Sequence, residues 1–261
     1  MALSDADKDP TASPVFPKLG PRAVVLCDGP APPDGLLRRW LAGADLFVCA
    51  DAAGHPYEHL PRSPDVVIGD FDSLAGRVLD GRGGPRFLQV VDHYTTDSEK
   101  ALLFVADQGF QEAVLLGATG RRLDHTLYNC NLLERFADRL RVCLSGPGAD
   151  TVRVGPGAHM SWNLPVGSGF SLMPLFGPVT QVTLEGGVFP LLGETLAPGG
   201  PATISNLVSM SPLLLSVGQG SLLVSFDRGT ERDSLDESSE DPEEYPEDYL
   251  EEFLEDNPED E

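Results

Sequence analysis

The hydrophobic pattern changes once along this chain, and that change constrains the fold more than any other feature. Between residues 23 and 145, short apolar runs alternate with segments of helical periodicity, which is typical of a mostly parallel sheet covered by helices. After Gly146-Pro147-Gly148, short alternating strands are separated by Gly and Pro, which indicates an antiparallel β-sandwich. The sequence therefore predicts an α/β fold in which an α/β region precedes an all-β region.

The pattern also predicts individual elements and domain boundaries. In the first region we expect strands at 23–27, 46–50, 66–68, 87–91, 113–116 and 142–144, with the clearest helices at 97–107 and 124–137. In the second region we expect strands at 152–154, 170–173, 179–184, 213–217 and 222–226. The predicted organisation is a flexible segment at 1–20, an α/β domain at 21–147, a β-sandwich domain at 148–229 and a tail at 230–261.

The tail differs from the rest of the chain in composition. Residues 230–261 hold seventeen of the 41 acidic residues and one of the eighteen basic residues, together with Pro and Ser, which predicts a disordered acidic tail. The remaining chain carries only a moderate excess of acidic residues. That balance argues against a nucleic-acid-binding surface, so we expect no nucleic acid partner.

Cellular location follows from targeting features and cysteine usage. No transmembrane segment is evident, and residues 1–21 lack the basic end and the apolar stretch of a signal peptide. The four cysteines lie in apolar runs without the spacing of a metal site: Cys27, Cys49, Cys130 and Cys143. We therefore expect a cytoplasmic protein with buried, reduced cysteines and no membrane partner.

Carboxylates gather where predicted strands of the first region end. Asp51, Asp70, Asp72 and Asp92 lie at or just beyond such ends, and Asp97 follows closely. In an open α/β sheet, ligands bind in the crevice beyond the carboxyl ends of the strands, so these acids are expected to share one site. Oxygen-only ligands suit Mg²⁺, which in proteins most often serves phosphate chemistry.

Lys100 is the only lysine after residue 18, and it follows Asp97 by three residues. A compact positive charge at this place is suited to a phosphate. A structural interpretation is also open, in which Thr96 and Glu99 form a capping box and Asp97 with Lys100 is an ordinary helix pair.

A glycine-containing loop from Gly117 to His125 follows a predicted strand and opens a helix, a context that favours anions. Arg121 and Arg122 strengthen a phosphate-binding interpretation, because guanidinium groups match phosphate oxygens bidentately. The alternative is that Asp124 is a helix N-cap and that Arg121 forms an exposed pair with His125.

In order and spacing, these motifs resemble the thiamine pyrophosphokinase family. The likeness covers about residues 21 to 228 and includes Gly69-Asp70-Phe71-Asp72-Ser73, Asp92 with the stretch from Thr96 to Lys100, and the stretch from Gly117 to His125 with Asn129. In the second region, Ser171-Leu-Met-Pro174-Leu, Val182-Thr-Leu-Glu185-Gly186 and Ile204-Ser205-Asn206 are similar to that family's thiamine-binding domain.

The resemblance implies transfer of pyrophosphate from ATP to the hydroxyl of thiamine, giving thiamine diphosphate and AMP, by a homodimer. It implies that Asp70, Asp72 and Asp97 hold Mg²⁺ and the ATP phosphates, that Lys100 and Arg122 neutralise phosphate charge, and that Asp124 joins this catalytic cluster. Asp97 or Asp72 would accept the hydroxyl proton, and Ser205 and Asn206 would bind thiamine. We also expect five further residues to contact the nucleotide: Asp51, Ser73, Asp92, Thr96 and Arg121.

The chain departs from the family pattern in two places. Asp51-Ala52-Ala53-Gly54-His55 stands where the family has Asp-Gly-Gly-Ala-Asn, and Arg121 stands where the family usually has glycine. We hypothesise that Arg121 adds a phosphate contact. Two other functions stay open: a diphosphotransferase or nucleotide hydrolase with another acceptor, and a catalytically impaired sensor of thiamine or nucleotide.

Overall fold

The computed structural model describes residues 13–53, 55–71 and 84–228. Asp72, Ser73 and the predicted acidic tail lie outside the described residues. Three α-helices occur in the described part: α1 (Asp34–Ala42), α2 (Asp97–Asp107) and α3 (Leu123–Arg135), together with a 3₁₀ turn at Tyr57–His59. None of these helices is both long and apolar enough to cross a membrane.

Six strands of the first region form the predicted parallel sheet. They are β1 (Arg22–Leu26), β2 (Leu46–Ala50), β3 (Val66–Gly69), β4 (Arg86–Gln89), β5 (Glu112–Leu116) and β6 (Arg141–Ser145). Their order is β4-β3-β2-β1-β5-β6, and every pairing among them is parallel.

Both faces of this sheet are buried, which explains its nearly continuous apolar runs. Val24 and Leu26 pack with α1 on one face, whereas Ala23 and Val25 pack with α2 and α3 on the other. The connection after β1 therefore covers one face, and the later helices cover the opposite face. The strand order therefore changes direction between β1 and β5, and the connections on the two sides of this point cover opposite faces of the sheet. Such a point leaves a crevice at the carboxyl edge of the sheet, where open α/β sheets bind ligands.

The second region contributes eight antiparallel strands. They are β7 (Ala149–Val154), β8 (His159–Trp162), β9 (Gly169–Met173), β10 (Val179–Glu185), β11 (Leu191–Leu196), β12 (Asn206–Leu207), β13 (Leu213–Ser216) and β14 (Leu222–Asp227). Four of them form a second sheet in the order β11-β10-β13-β8. It packs on the first sheet through contacts such as Trp162 against Phe226, whose ring centroids lie 4.9 Å apart.

The predicted sandwich is present, but its first layer continues the parallel sheet. A tight turn, in which Gly146 N donates to Ala149 O at 2.9 Å, pairs β6 with β7 antiparallel. Consequently β7, β14, β9 and β12 extend the six strands to a ten-stranded sheet. The pattern change at residue 146 therefore marks a change of strand direction within one sheet.

Residues 13–20 differ from the expectation of a flexible segment. Val15 and Phe16 are buried in the core. The Arg22 guanidinium lies 5.1 Å from the Phe16 ring centroid and donates to Phe16 O at 3.0 Å. These contacts anchor the start of the described chain to β1.

All four cysteines are free thiols, as expected, and three of them are buried. Cys130 is only half-buried, because it lies on the outer part of α3 rather than in a strand. Burial raises the pKa of the Cys27 thiol to about 11, which keeps it protonated and unreactive near neutral pH.

Candidate active site

A cleft of about 330 Å³ lies at the carboxyl edge of the parallel sheet. The loops after β1, β2 and β5 line it, together with the first turns of α2 and α3. Its position is the crevice that the strand order creates between β1 and β5. Most of the sequence-predicted nucleotide residues that the structure describes lie in its wall: Asp51, Thr96, Asp97, Arg121 and Arg122.

Three aspartates form a carboxylate group beside this cleft. Asp51 follows β2, Asp70 follows β3 and Asp97 begins α2. One oxygen of each lies within 4.8 Å of the others. Asp51 is buried, whereas the side chains of Asp70 and Asp97 are about a quarter to a third exposed. The fold therefore concentrates negative charge at one point on the sheet edge.

Among the residues that the structure describes, Lys100 is the cation paired with this group. Its Nζ lies 2.8 Å from Asp97 Oδ1 and 3.8 Å from Asp70 Oδ2, and its side chain is only 3% exposed. The structure therefore contains the i,i+3 helix pair of the structural interpretation, because one turn of α2 brings Lys100 next to Asp97. One ammonium does not neutralise three carboxylates.

The start of α2 is capped by Thr96, whose Oγ1 accepts from Glu99 N at 3.3 Å. The capping-box prediction fails for the reciprocal bond. Glu99 instead accepts from the Tyr128 hydroxyl, and its Oε1 lies 2.7 Å from Arg135 Nε. Because Tyr128 and Arg135 belong to α3, the buried Glu99 carboxylate ties together the two helices that border the cleft.

Asp51 adopts a left-handed backbone conformation with φ of 48°. Asp is among the residues that tolerate this region best. Gly69 on β3 makes room for it, since a Cβ at Gly69 would lie 3.0 Å from both Cα and Cβ of Asp51. Ala52 and Ala53 keep negative φ, and Ala53 packs in the core, so this loop does not require the family's two glycines.

Phe71 also has a positive φ, 66°, immediately after Asp70. A bulky residue in this region is strained and persists only when its surroundings hold it. The Phe71 ring packs edge-on against Phe87, with centroids 5.9 Å apart, and Gln89 Nε2 donates to Asp70 O at 3.0 Å. Strand β4 thereby fixes the backbone that presents Asp70.

The electrostatics of Asp97 reflect its burial. Desolvation raises the pKa of its carboxyl above the usual value, the hydrogen bond and charge of Lys100 oppose this effect, and the negative charges of Asp70 and Asp51 reinforce it. A further cation at this point would favour the ionised form of the whole group.

One atom of the group supports a bound metal. Asp51 Oδ1 is buried and has no hydrogen-bond partner among the described residues. Leaving such an oxygen unsatisfied costs free energy, and a hard divalent cation with oxygen ligands would satisfy it. The donor set of Asp51, Asp70 and Asp97 therefore fits Mg²⁺. Asp72, which the resemblance also assigns to Mg²⁺, lies outside the described residues.

Asp92 lies outside this carboxylate group. Strand β4 ends at Gln89, two residues earlier than the sequence predicted, so Asp92 does not lie at a strand end. Its oxygens accept from Thr95 Oγ1 at 2.7 Å and Tyr94 N at 2.9 Å, and these bonds lower the pKa of its carboxyl. The expected group of five carboxylates is a group of three within the described residues.

The opposite wall of the cleft is the segment 117–122, here named the arginine loop. Gly117 has φ of 63°, and a Cβ there would lie 2.6 Å from Cys27 O. Asn129 on α3 is buried and donates from Nδ2 to Ala118 O at 2.7 Å. The backbone of the loop therefore follows a defined path.

The two arginines of the loop have different partners. Arg122 forms a bidentate pair with Asp124, at 2.6 and 3.1 Å, and this pairing lowers the pKa of the Asp124 carboxyl. Arg122 occupies the N-cap position of α3, so Asp124 is not the cap that one interpretation predicted. Arg121 contacts Asp28 instead of His125.

Ser205 and Asn206 lie far from the carboxylate group. Asn206 is on β12, at one end of the ten-stranded sheet, and Asp70 follows β3, eight strand positions away, or about 38 Å. Asn206 Oδ1 accepts from Phe189 N and Leu207 N, and its Nδ2 donates to Phe189 O. One chain does not bring these predicted thiamine residues to the acids.

One residue that shapes the site, Gly29, belongs to none of the motifs that the sequence singled out. A Cβ at Gly29 would lie 2.0 Å from Gly117 O, so the loops after β1 and β5 touch through their backbones. Glycines directly after strands are the available sequence signal. What makes each glycine necessary is a neighbour distant in sequence.

Comparison with known proteins identifies relatives of this chain. A family model described as "Thiamin pyrophosphokinase, catalytic domain" matches residues 37–144, which include the carboxylate group and the arginine loop. Thiamine pyrophosphokinase 2 of Arabidopsis thaliana is 30% identical over 193 residues, covering 63% of this chain and 72% of the relative. Thiamine pyrophosphokinase 1 of Oryza sativa subsp. japonica is 28% identical over 194 residues, with the same two coverages.

Solved structures of similar proteins share the fold. The crystal structure of thiamin pyrophosphokinase from Geobacillus thermodenitrificans matches with a TM-score of 0.69 and 25% identity, over 80% of this chain and 99% of that one. The Candida albicans structure matches with a TM-score of 0.70 at 15% identity, over 80% and 89% of the two chains. The chain belongs to the thiamine pyrophosphokinase family.

Proposed function

We propose that this protein transfers pyrophosphate from ATP to the hydroxyl of thiamine, yielding thiamine diphosphate and AMP. The observation that carries the proposal is the carboxylate group with its buried Lys100, beside a cleft at the crevice of the parallel sheet. Membership of the family supports the same activity. The hydroxyl oxygen bonds to the β-phosphorus, the bond to the bridging α,β-oxygen breaks, and AMP leaves.

The reaction requires charge neutralisation and in-line positioning rather than a covalent intermediate. We assign Asp51, Asp70 and Asp97 to Mg²⁺, with Asp72 as a fourth candidate from the sequence. When bound, Mg²⁺ would neutralise and orient the ATP phosphates. Lys100 would add its charge from beside the cleft, because Asp97 and Asp70 hold its ammonium in place.

Some of the remaining residues predicted to bind the nucleotide lie at the cleft, and others do not. Thr96 and Arg122 line the cleft with Arg121, and Asp124 pairs with Arg122 at its rim. Asp92 and Ser73 stay predictions from the resemblance. For the proton of the thiamine hydroxyl, Asp97 and Asp72 stay the proposed acceptors.

We further propose that the working unit is a homodimer in which each site uses two chains. Within one sheet, β12 and β3 lie about 38 Å apart, so one chain does not bring Asn206 to the carboxylate group. The region 21–147 would bind ATP and Mg²⁺, and the region 148–229 of a second chain would supply Ser205 and Asn206 to thiamine. Exposed apolar side chains beside Asn206 are consistent with a covered surface: Phe189, Ile204, Leu207 and Met210.

Mixing two inactive variants tests this arrangement. Asp97→Asn and Asn206→Ala each disable a different region, so co-refolded mixtures would regain about a quarter of wild-type activity if a site combines two chains. Asn206→Ala alone is checked for folding by circular dichroism. Mixtures that stay inactive while forming mixed dimers would contradict a shared site.

We also propose a cytoplasmic location without nucleic acid or membrane partners. The four free cysteines support a reducing compartment. Imaging of the tagged full-length protein would test the location.

The activity is tested by following ATP labelled at the β-phosphate in the presence of thiamine and Mg²⁺. We expect the label in thiamine diphosphate, with one AMP per product. Formation of ADP and thiamine monophosphate would contradict pyrophosphoryl transfer. AMP release that is indifferent to thiamine would indicate a hydrolase, and ligand binding without turnover would indicate a sensor.

A further inference from the structure

Arg121 lies at the mouth of the cleft, and its partner there among the described residues is Asp28. Its Nη1 donates to Asp28 O at 3.2 Å and lies 3.7 Å from Asp28 Oδ2. Both residues line the cleft, and both side chains are more than half exposed. Asp28 follows β1 and Arg121 follows β5, so the contact bridges the two loops that border the crevice between these strands.

The neighbouring Arg122 is engaged differently. Two of its nitrogens meet the two oxygens of Asp124, the closer at 2.6 Å. Arg121 uses one nitrogen toward a backbone carbonyl, and its carboxylate partner is more than 1 Å further away than that of Arg122. A guanidinium has five N–H donors, so within the part of the chain that the structure describes, Arg121 retains most of its donors and its charge for another anion.

The backbone beneath this contact is fixed. Gly29 and Gly117 touch so closely that a Cβ on Gly29 would lie 2.0 Å from Gly117 O. Arg121 itself has no positive φ, so it occupies the position of the family's usual glycine without backbone strain. The two loops therefore fix the backbone from which the Arg121 and Asp28 side chains extend.

We propose that Asp28 is a positioning residue for Arg121, and that it holds the guanidinium across the cleft mouth so that the free N–H groups bind the nucleotide phosphates. This inference rests on the proposed function, because it takes the cleft as the ATP site. It assigns a role to Asp28. It also distinguishes Arg121, which Asp28 would position toward the phosphates, from Arg122, which is paired with Asp124.

A double-mutant cycle measured by direct binding tests the coupling. The probe is Mg²⁺ with α,β-methylene-ATP, in which the linkage between the α- and β-phosphates cannot be cleaved. Its binding to the full-length protein is measured without thiamine. Arg121→Ala is expected to raise Kd about tenfold, and Arg121→Lys about threefold because it keeps the charge but loses the fork. Asp28→Ala is expected to raise Kd about threefold when Arg121 is present.

The direction in which Asp28→Ala changes Kd distinguishes a positioning role of Asp28 from a simple effect of its negative charge. In the Arg121→Ala background, Asp28→Ala is expected to leave Kd unchanged or to lower it, because a lone carboxylate only repels phosphate. In turnover assays, KM for ATP is expected to rise in both single variants, while kcat and KM for thiamine stay within about twofold. The matched control is Arg38→Ala, from an equally exposed ion pair with Asp34 on α1.

Three outcomes would overturn the inference. An unchanged Kd in Arg121→Ala, or a loss no larger than that of Arg38→Ala, would remove Arg121 from the phosphates. An Asp28→Ala effect of equal size in both backgrounds would remove the coupling. A wild-type protein that binds no nucleotide would overturn both this inference and the proposed function, whereas the first two results leave the proposed function intact.

Discussion

The two walls of the cleft differ in how firmly the fold holds their charges. On one wall, Lys100 is almost completely buried, Asp51 is buried, and both are fixed by β2, β3 and α2. On the other wall, the side chains of Arg121, Arg122 and Asp124 are all more than half exposed. Buried, preorganised charges contribute most to catalysis. Exposed ion pairs contribute little to stability, so they hold their side chains less firmly. We infer that the carboxylate wall determines turnover and that the arginine loop adjusts nucleotide affinity.

The largest effect is expected from Asp97→Asn. This change removes a carboxylate from the proposed metal-binding group and the hydrogen-bond partner of Lys100, so kcat should fall about a thousandfold. Steady-state AMP formation measures it. Asp107→Asn, at the exposed end of the same helix, is the control and should keep wild-type activity. A loss below tenfold for Asp97→Asn would remove Asp97 from the site.

Lys100→Met should reduce kcat about a hundredfold, because it removes the buried cation without changing the length of the side chain much. Stopped-flow or quench measurements of a single turnover would assign the loss to the chemical step. Lys18→Met, at an exposed site remote from the cleft, serves as the comparison. If both variants behaved alike, the buried ammonium would have no catalytic role.

Gly69→Ala tests whether the position of Asp51 matters. The added Cβ would lie 3.0 Å from Asp51 and displace it, which should weaken Mg²⁺ activation about tenfold. The matched variant Gly35→Ala, in the open first turn of α1, should retain activity and stabilise the fold by about 0.5 kcal/mol. Equal Mg²⁺ activation in the two variants would show that the Asp51 loop adapts.

Arg122→Ala is expected to have the smallest effect, less than about fivefold on KM for ATP, because the pair it breaks is exposed. Its clearest consequence is on Asp124, whose carboxyl pKa the arginine holds low. That pKa should rise toward its usual value, so the stabilising contribution present at neutral pH disappears in the variant. An NMR titration of Asp124 would measure it, and an unchanged pKa would contradict the pairing.

The sequence predicted the elements that carry the site because their signals are local. The bounds predicted for α2 agree with the structure, since Thr96 supplies a cap and the apolar spacing is helical. Asp51 and Asp70 follow strand ends as predicted. Asp92 was misplaced because Val90 and Val91 look like strand residues, although β4 already ends at Gln89.

Other features depended on contacts distant in sequence. Strands β6 and β7 pair as a hairpin, and this pairing merges the two regions into one sheet. The Gly-Pro-Gly signal between them is compatible with a hairpin turn and also with a linker between separate domains, so the sequence did not distinguish the two. The short β12 contains two residues and has no periodicity to detect. The partner of Arg121 is 93 residues away in the chain, so local spacing favoured His125 instead.

The most direct test of the carboxylate wall is the Mg²⁺ dependence of thiamine-dependent AMP formation in wild type and Asp51→Asn. Asp51 supplies the buried oxygen that has no hydrogen-bond partner among the described residues. We predict that Asp51→Asn raises the Mg²⁺ concentration for half-maximal rate at least about tenfold, with AMP still dependent on thiamine. An identical Mg²⁺ dependence in the two proteins would contradict the account that this carboxylate group holds the metal for pyrophosphoryl transfer.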